Sequence, residues 1–203
     1  MDFPKIIEIL PEGTKGIASL EHFEVSEDAA NWSALRSAII HGREDPVEAG
    51  KYVQLRVNGD LMMSDTQMEQ NSNRKVLYRA TGNVLIAGLG IGLILLPILS
   101  KPEVRSVTVI EKYQDVIDLT EEYLRMAAKT DHNKLRIVQA DIFEWKPEKG
   151  TKFDTIYFDI WPNISGDNLK EMTQLHRRFS HYKALGCWMD SWMRSRIKQQ
   201  YGR

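Results

Sequence analysis

The sequence predicts an α/β fold: a doubly wound sheet of parallel strands with a small N-terminal appendage of β-hairpin and helix. Three observations carry this. From about residue 79, short apolar runs alternate with helical patterns. The runs VLIA (84–87), VTVI (107–110) and TIYF (155–158) are continuous rather than alternating, as in strands buried on both faces of a parallel sheet. Gly88, Gly90 and Gly92 punctuate the junction between the first of these strands and the helix after it.

Element by element, strands are expected at Asn83–Ala87, Ser106–Ile110, Leu135–Gln139, Thr155–Asp159 and Gly186–Asp190. Helices are expected near Ile91–Ser100, Gln114–Lys129 and Asn168–Tyr182, with a last one over roughly Ser191–Tyr201. Repeated βα units imply right-handed crossovers within one sheet. Residues 1–78 differ in texture. Apolar runs at Lys5–Leu10, Gly16–Val25 and Tyr52–Val57 are split by turn residues. Ser26 followed by Glu27 and Asp28 reads as the start of a helix that runs through Trp32, Leu35 and Ile39 and stops at Gly42. Asn58-Gly59 lies between two strand-like runs, and both residues accept the positive φ of a tight hairpin turn. The chain thus divides into a β-rich appendage with one helix over 1–78 and a sheet domain over 79–203.

Composition narrows the function classes. At 203 residues the chain is one domain, or one with a small appendage. With 42% hydrophobic residues it can bury a core, and a net charge of −1 excludes a uniformly basic nucleic-acid binder. Its single cysteine, Cys187, permits no internal disulfide and reads as a small core residue, not a nucleophile. No basic, apolar leader opens the chain. Val84–Leu99 carries no charge, but three glycines and Pro97 interrupt it, and it is shorter than the roughly 20 residues of a spanning helix. A cytoplasmic protein without a membrane contact is expected. The histidines show no metal-ligand spacing, and His176 and His181 read as surface residues.

The glycine loop is where a ligand can approach the backbone closely, and the helix behind it offers free N–H groups. The alternative is plain strand–helix packing. The next strand ends on Glu111, about 20 residues past the loop, where a carboxylate can accept from both hydroxyls of a ribose; the alternative is a solvated acid. Leu93 occupies the place of the third glycine of a dinucleotide fingerprint, so the spacing runs G-x-G-x-G.

That loop, with QADIF (139–143) and FDTIYFDIWP (153–162), resembles the class I S-adenosylmethionine (SAM) dependent methyltransferases, a Rossmann-like type of sheet. Within them YVQLRVNGDLMMSD, VRSVTVIEKYQDVIDLTEEYL and FDTIYFD are similar to the spermidine synthase-like branch. The resemblance implies SAM as cofactor, with S-adenosylhomocysteine as product. It implies contacts from Gly88, Leu89, Gly90, Gly92, Glu111 and Lys112, from Asp141 and Ile142 at the adenine, and from Asp159 near the reacting group. Asp141 could instead cap the turn before Phe143, and Asp159 its own loop. Polyamine synthases of that branch carry D-x-x-D after the fourth strand and a G-G-G-D-G-G loop. Here Asp159 matches the first aspartate, Pro162 stands in place of the second, and the loop differs.

The expectation is therefore methyl transfer by in-line displacement to an unidentified acceptor, with Asp159 orienting or deprotonating it. Trp161 could stack on the acceptor, and Asp65 and Glu69 could line the mouth. The alternatives are an aminopropyltransferase using decarboxylated SAM and a non-catalytic SAM-binding scaffold. DIWP lacks the motif of base-directed enzymes, and Asp190 reads as a cap for the last helix in preference to a Mg²⁺ partner of Asp159, so no metal is expected. The acceptor is expected to be a small molecule. Arg177, Arg178 and the run RSRIKQQ could meet RNA or a protein, or simply form a solvated face. The sheet is expected to lack the last two strands of the methyltransferase type. The edge they would cover is expected to be capped by the N-terminal piece or by a second subunit in a homodimer.

Overall fold

The computed structural model describes residues 2–39, 46–129 and 132–202. After a single 3-10 turn, the chain builds a four-stranded antiparallel sheet from β1 (Gly13–Lys15), β2 (Ala18–Val25), β3 (Gly50–Val57) and β4 (Asp60–Ser64), in that spatial order. The hairpin turn is as the sequence requires. Asn58 at φ 54° and Gly59 at φ 84° give the turn whose twist matches its flanking strands. On β3 the alternation Val53, Leu55, Val57 is buried, together with Ala18 and Leu20 of β2, so this sheet has one apolar face. Helix α1 (Glu27–Ile39) is inserted between β2 and β3, and its Ser26 hydroxyl accepts the Ala29 N–H at 3.3 Å. The expected stop at Gly42 lies outside the described residues. Trp32, Leu35 and Ile39, whose spacing predicts the helix, face solvent at 72%, 51% and 67% exposure.

The hairpin leads into α2 (Gln67–Arg79), a helix the sequence reading did not anticipate. The second sheet follows: β5 (Gly82–Ala87), α3 (Leu95–Leu99), β6 (Val104–Glu111), α4 (Gln114–Ala128), β7 (Leu135–Gln139), β8 (Phe153–Phe158), α5 (Asn168–Phe179), β9 (Lys183–Ser191) and α6 (Arg194–Tyr201). Its strands are all parallel, in the order β7-β6-β5-β8-β9. The doubly wound α/β fold is therefore observed. Val84, Leu85, Ile86 and Ala87 on β5, and Ile156 and Phe158 on β8, are at most 1% exposed, which is why their runs do not alternate.

Two helices depart from expectation. The glycine loop takes up the residues that would have formed the first turns of α3, leaving five residues with Pro97 among them. The last helix begins only at Arg194, so Asp190 does not cap it; its carboxylate pairs with Lys75 of α2 and accepts the Ser191 N–H at 3.0 Å. The N-terminal sheet docks against α4, where the Ile17 N–H donates to Asp115 at 3.0 Å, and not along β9. Among the described residues no strand pairs with the outer edge of β9. No helix among them is long and apolar enough to cross a membrane.

The strand order reverses between β5 and β8. The chain leaves β5 toward β6 and β7, then returns to β8 and β9 on the other side. A crevice opens at the carboxyl ends of the two strands where the crossovers part. The Asp159 N–H donates to the Ala87 carbonyl and the Gly88 N–H to that of Ile110, both at 2.8 Å, which carries the strand pairing right up to the crevice.

Candidate active site

Gly88, the first residue past β5, has φ +98°, and a Cβ there would collide with the carbonyl oxygen of Asp159. Gly90, at φ +50°, is covered by the thioether of Met63 from β4. The loop is thus pressed between the floor of the crevice and the hairpin, and only residues without side chains fit. A Cβ on Gly92 would meet Leu124 of α4, so that third glycine serves packing.

Glu111 ends β6 and is 7% exposed. One of its oxygens accepts the Leu89 N–H at 2.8 Å and the other the Tyr113 N–H at 2.9 Å. The carboxylate therefore ties the glycine loop to the next strand, with one acceptor direction left on each oxygen. Asp141, after β7, accepts the Phe143 N–H at 2.9 Å and pairs with Lys112 at 3.1 Å. Burial works to raise its carboxyl, but the Phe143 amide and the Lys112 ammonium outweigh this and hold it below the usual range. The hydrogen bond from Lys112 to Asp141 in turn raises the lysine. Turn capping, offered as the alternative for Asp141, is what its contact with Phe143 performs.

A cavity of about 290 Å³ lies over these residues. Gly88, Leu89, Gly90, Glu111, Lys112, Asp141, Ile142, Asp159, Trp161 and Glu69 all border it; Gly92 lies behind the loop. Its roof is Leu55, Val57, Met62 and Met63 of the N-terminal sheet, and Trp192 closes one wall. The N-terminal piece was expected to reach the mouth through Asp65 and Glu69; the apolar alternation on β3 supplies the roof as well. Trp161 is 7% exposed and donates its indole N–H to Glu171 at 2.7 Å.

Asp159 and Glu69 dominate the electrostatics. Burial pushes the Asp159 carboxyl up to about 7. Burial, with the nearby charge of Asp159 added, pushes Glu69 up to about 8. Asp65 lies elsewhere: it is 5% exposed, accepts the Val53 N–H at 2.7 Å, and faces a separate hollow beside Tyr52 and Gln70. Asp65 and Glu69, four residues apart, are parted because α2 starts between them. His176 is not a surface residue either. It bonds the Ser191 hydroxyl at 2.9 Å, and burial, reinforced by Arg194, lowers it to about 4. Among the described residues no group of three or more His, Cys, Asp or Glu side chains could hold a metal ion.

The residues fit a SAM-type nucleoside: a glycine cradle that a Cβ would fill, a buried carboxylate with acceptor directions to spare, and a cavity with an apolar roof that Asp159 and Glu69 also border. No curated protein sequence matches the chain. Solved structures similar to it include a SAM-dependent methyltransferase from Clostridium acetobutylicum, at 14% identity and TM-score 0.44 over 79% of this chain and 55% of that one. TrmN from Thermus thermophilus is 17% identical, with TM-score 0.49 over 66% and 40% of the two chains. Spermidine synthase from Thermotoga maritima is 17% identical, with TM-score 0.44 over 82% and 52%. The chain spans about half the length of these structures or less. The family model for the spermine/spermidine synthase domain matches residues 71–182, from within α2 to the turn after α5, and so takes in the glycine loop, Glu111, Asp141 and Asp159. With more than half of its 203 residues matched, the chain belongs to the spermine/spermidine synthase domain family.

Proposed function

We propose that the protein is a SAM-dependent methyltransferase acting on a small acceptor that presents an amine nitrogen. The observation that carries this reading is the pair of enclosed carboxyls, Asp159 and Glu69, facing one apolar cavity beside the glycine loop. Bound SAM supplies a methyl carbon already activated by its sulfonium, whose leaving group is a neutral thioether needing no acid. The protein's remaining task is alignment and the handling of one proton. Gly88, Leu89 and Gly90 would hold the donor with backbone groups, Glu111 its ribose, and Asp141 with Ile142 its base. An amine reaches the site as an ammonium ion and must lose a proton to expose its lone pair. A carboxylate near 7 takes that proton at neutral pH, which is the range in which a general base works best. Glu69, near 8, is largely protonated there and can accept and donate hydrogen bonds to the same nitrogen. Trp161, pinned by Glu171, offers an aromatic wall to a cationic acceptor.

A second reading, aminopropyl transfer from decarboxylated SAM, is favoured by the family match over residues 71–182. Pro162, standing where polyamine synthases of that branch carry their second aspartate, and a glycine loop without their acid favour the first reading. The test is incubation of the purified protein with each donor and a panel of small amines, with chromatography of the nucleoside product. S-adenosylhomocysteine formed from SAM is the expected result. Methylthioadenosine formed from decarboxylated SAM would replace the first reading by the second.

A further inference from the structure

Helix α2 carries a short polar ladder that matches one on β8. Asn73 and Glu69 are four residues apart on one face of the helix, and Tyr157 lies near the carboxyl end of β8, two residues before Asp159, which follows the strand. The Tyr157 hydroxyl donates to the Asn73 side-chain oxygen at 2.9 Å; Tyr157 is 4% exposed and Asn73 fully buried. The Asn73 amide then donates to the Glu69 backbone carbonyl at 3.2 Å, and the Ser72 hydroxyl donates to the same carbonyl at 2.9 Å. Ser72 is itself held by the Trp192 indole N–H at 2.9 Å. A buried amide at a helix position with little apolar surface around it needs a reason, because it stabilises only when its partners are in place.

We infer that Tyr157 and Asn73 are positioning residues: their hydrogen bond pins α2 to β8 in the register that sets Glu69 beside Asp159 over the cavity. The role rests on the reading of Asp159 and Glu69 as the acids that receive the acceptor. The pinning acts through the helix backbone, because both Asn73 and Ser72 grip the carbonyl of Glu69 itself. Slippage of α2 would carry Glu69 away from the cavity and let water reach both carboxyls. The other charged groups around the cavity are already engaged. Glu111 of β6 is bound to two amides, Lys112 to Asp141, and Glu171 of α5 to Trp161. Asp190 of β9 pairs with Lys75 of α2.

The test is a carboxyl ¹³C NMR titration of the ligand-free protein, comparing wild type with Tyr157→Phe and Val76→Ala. Val76 is a fully buried residue of the same helix, so its truncation weakens α2 packing without touching the ladder. Tyr157→Phe should lower the Glu69 titration by about one pH unit or more, as water reaches the carboxyl. Val76→Ala should lower the melting temperature and leave that titration in place. Asn73→Ala, which removes the other partner, is read in the same way should Tyr157→Phe not fold. An unmoved Glu69 in the folded ladder variants, or an equal shift in Val76→Ala, overturns the positioning role. The titration needs neither donor nor acceptor. A wild-type protein that binds no SAM would therefore sink the functional reading and still leave this comparison to decide.

Discussion

Glu111 illustrates how a single carboxylate can be legible from spacing and yet hold a second task that spacing hides. Its distance from the glycine loop marks it for a ribose, but its two oxygens also accept the N–H groups of Leu89 and Tyr113. Removing the side chain would leave two buried donors unpaired, at a cost of about 1–3 kcal/mol each. Glu111→Ala should consequently lose stability as well as donor affinity, whereas Glu111→Gln keeps the shape and one acceptor. Asp159 was readable for a similar reason, as the residue that ends an apolar strand at the crevice. Its elevated titration was not readable, since that comes from enclosure by Met62, Met63 and Trp192, residues distant in sequence. Asp159→Asn should leave donor binding within a few-fold of wild type. It should slow transfer by about 10²–10⁴, the usual worth of a positioned base, as a single-turnover assay would measure. Unchanged transfer would leave Asp159 a structural cap. Asp65 shows the opposite error. Asp65 and Glu69, both lying just before the sheet, were expected to line one mouth, and the first turn of α2 sends the two carboxyls to different hollows.

At the scale of elements, strands buried on both faces announce themselves because every residue must be apolar. The inner strands β5, β6 and β8 were legible this way, whereas β7 and β9 lie at the sheet's edges and are only partly buried. Helix α2 was not, because QMEQNSNRKVLYR has almost no apolar periodicity. Its buried face consists of Asn73, Val76 and Leu77, and the side-chain oxygen of Asn73 takes its hydrogen bond from a tyrosine 84 residues away. A polar residue that is buried by virtue of a distant partner carries no local signal. Helix α1 fails differently: Trp32, Leu35 and Ile39 give the right periodicity, but they point outward. At Gly88 the glycine loop meets the Asp159 backbone directly. Gly88→Ala would place a methyl group against the Asp159 carbonyl in a conformation that non-glycine residues rarely adopt. The variant is expected to melt at a lower temperature and to lose donor binding by calorimetry. A variant with wild-type melting and affinity would show that the loop is free to shift.

For the molecule as a whole, the two sheets divide the work. The parallel sheet supplies the floor of the cavity, and the antiparallel sheet docks on α4 and supplies its roof. This arrangement stores a pH dependence. Burial makes Glu69 and Asp159 titrate higher in the folded chain, near 8 and 7, than the ordinary 4.5 and 3.8 expected unfolded. The native state thus binds more protons than the unfolded state between those limits, and stability falls as pH rises through them. His176 acts the other way but only between about 4 and the ordinary histidine value of 6.5, where the unfolded chain binds the extra proton. Above pH 6.5 its opposition is spent. The melting temperature of the ligand-free protein should therefore decline from pH 6.5 to 8, with a loss on the order of 1 kcal/mol per pH unit. The double variant Glu69→Gln/Asp159→Asn should flatten that slope. An equally steep decline in the double variant would place its origin elsewhere. The central claim is that the crevice at the ends of β5 and β8 binds a SAM-type nucleoside through Glu111 and the glycine loop. Calorimetric titration of wild type and Glu111→Gln with SAM, S-adenosylhomocysteine and decarboxylated SAM tests it most directly. The account predicts saturable binding of the first two, weakened about tenfold or more in the variant by loss of a charge-assisted hydrogen bond. Absence of binding by all three, in protein shown to be folded, would contradict it.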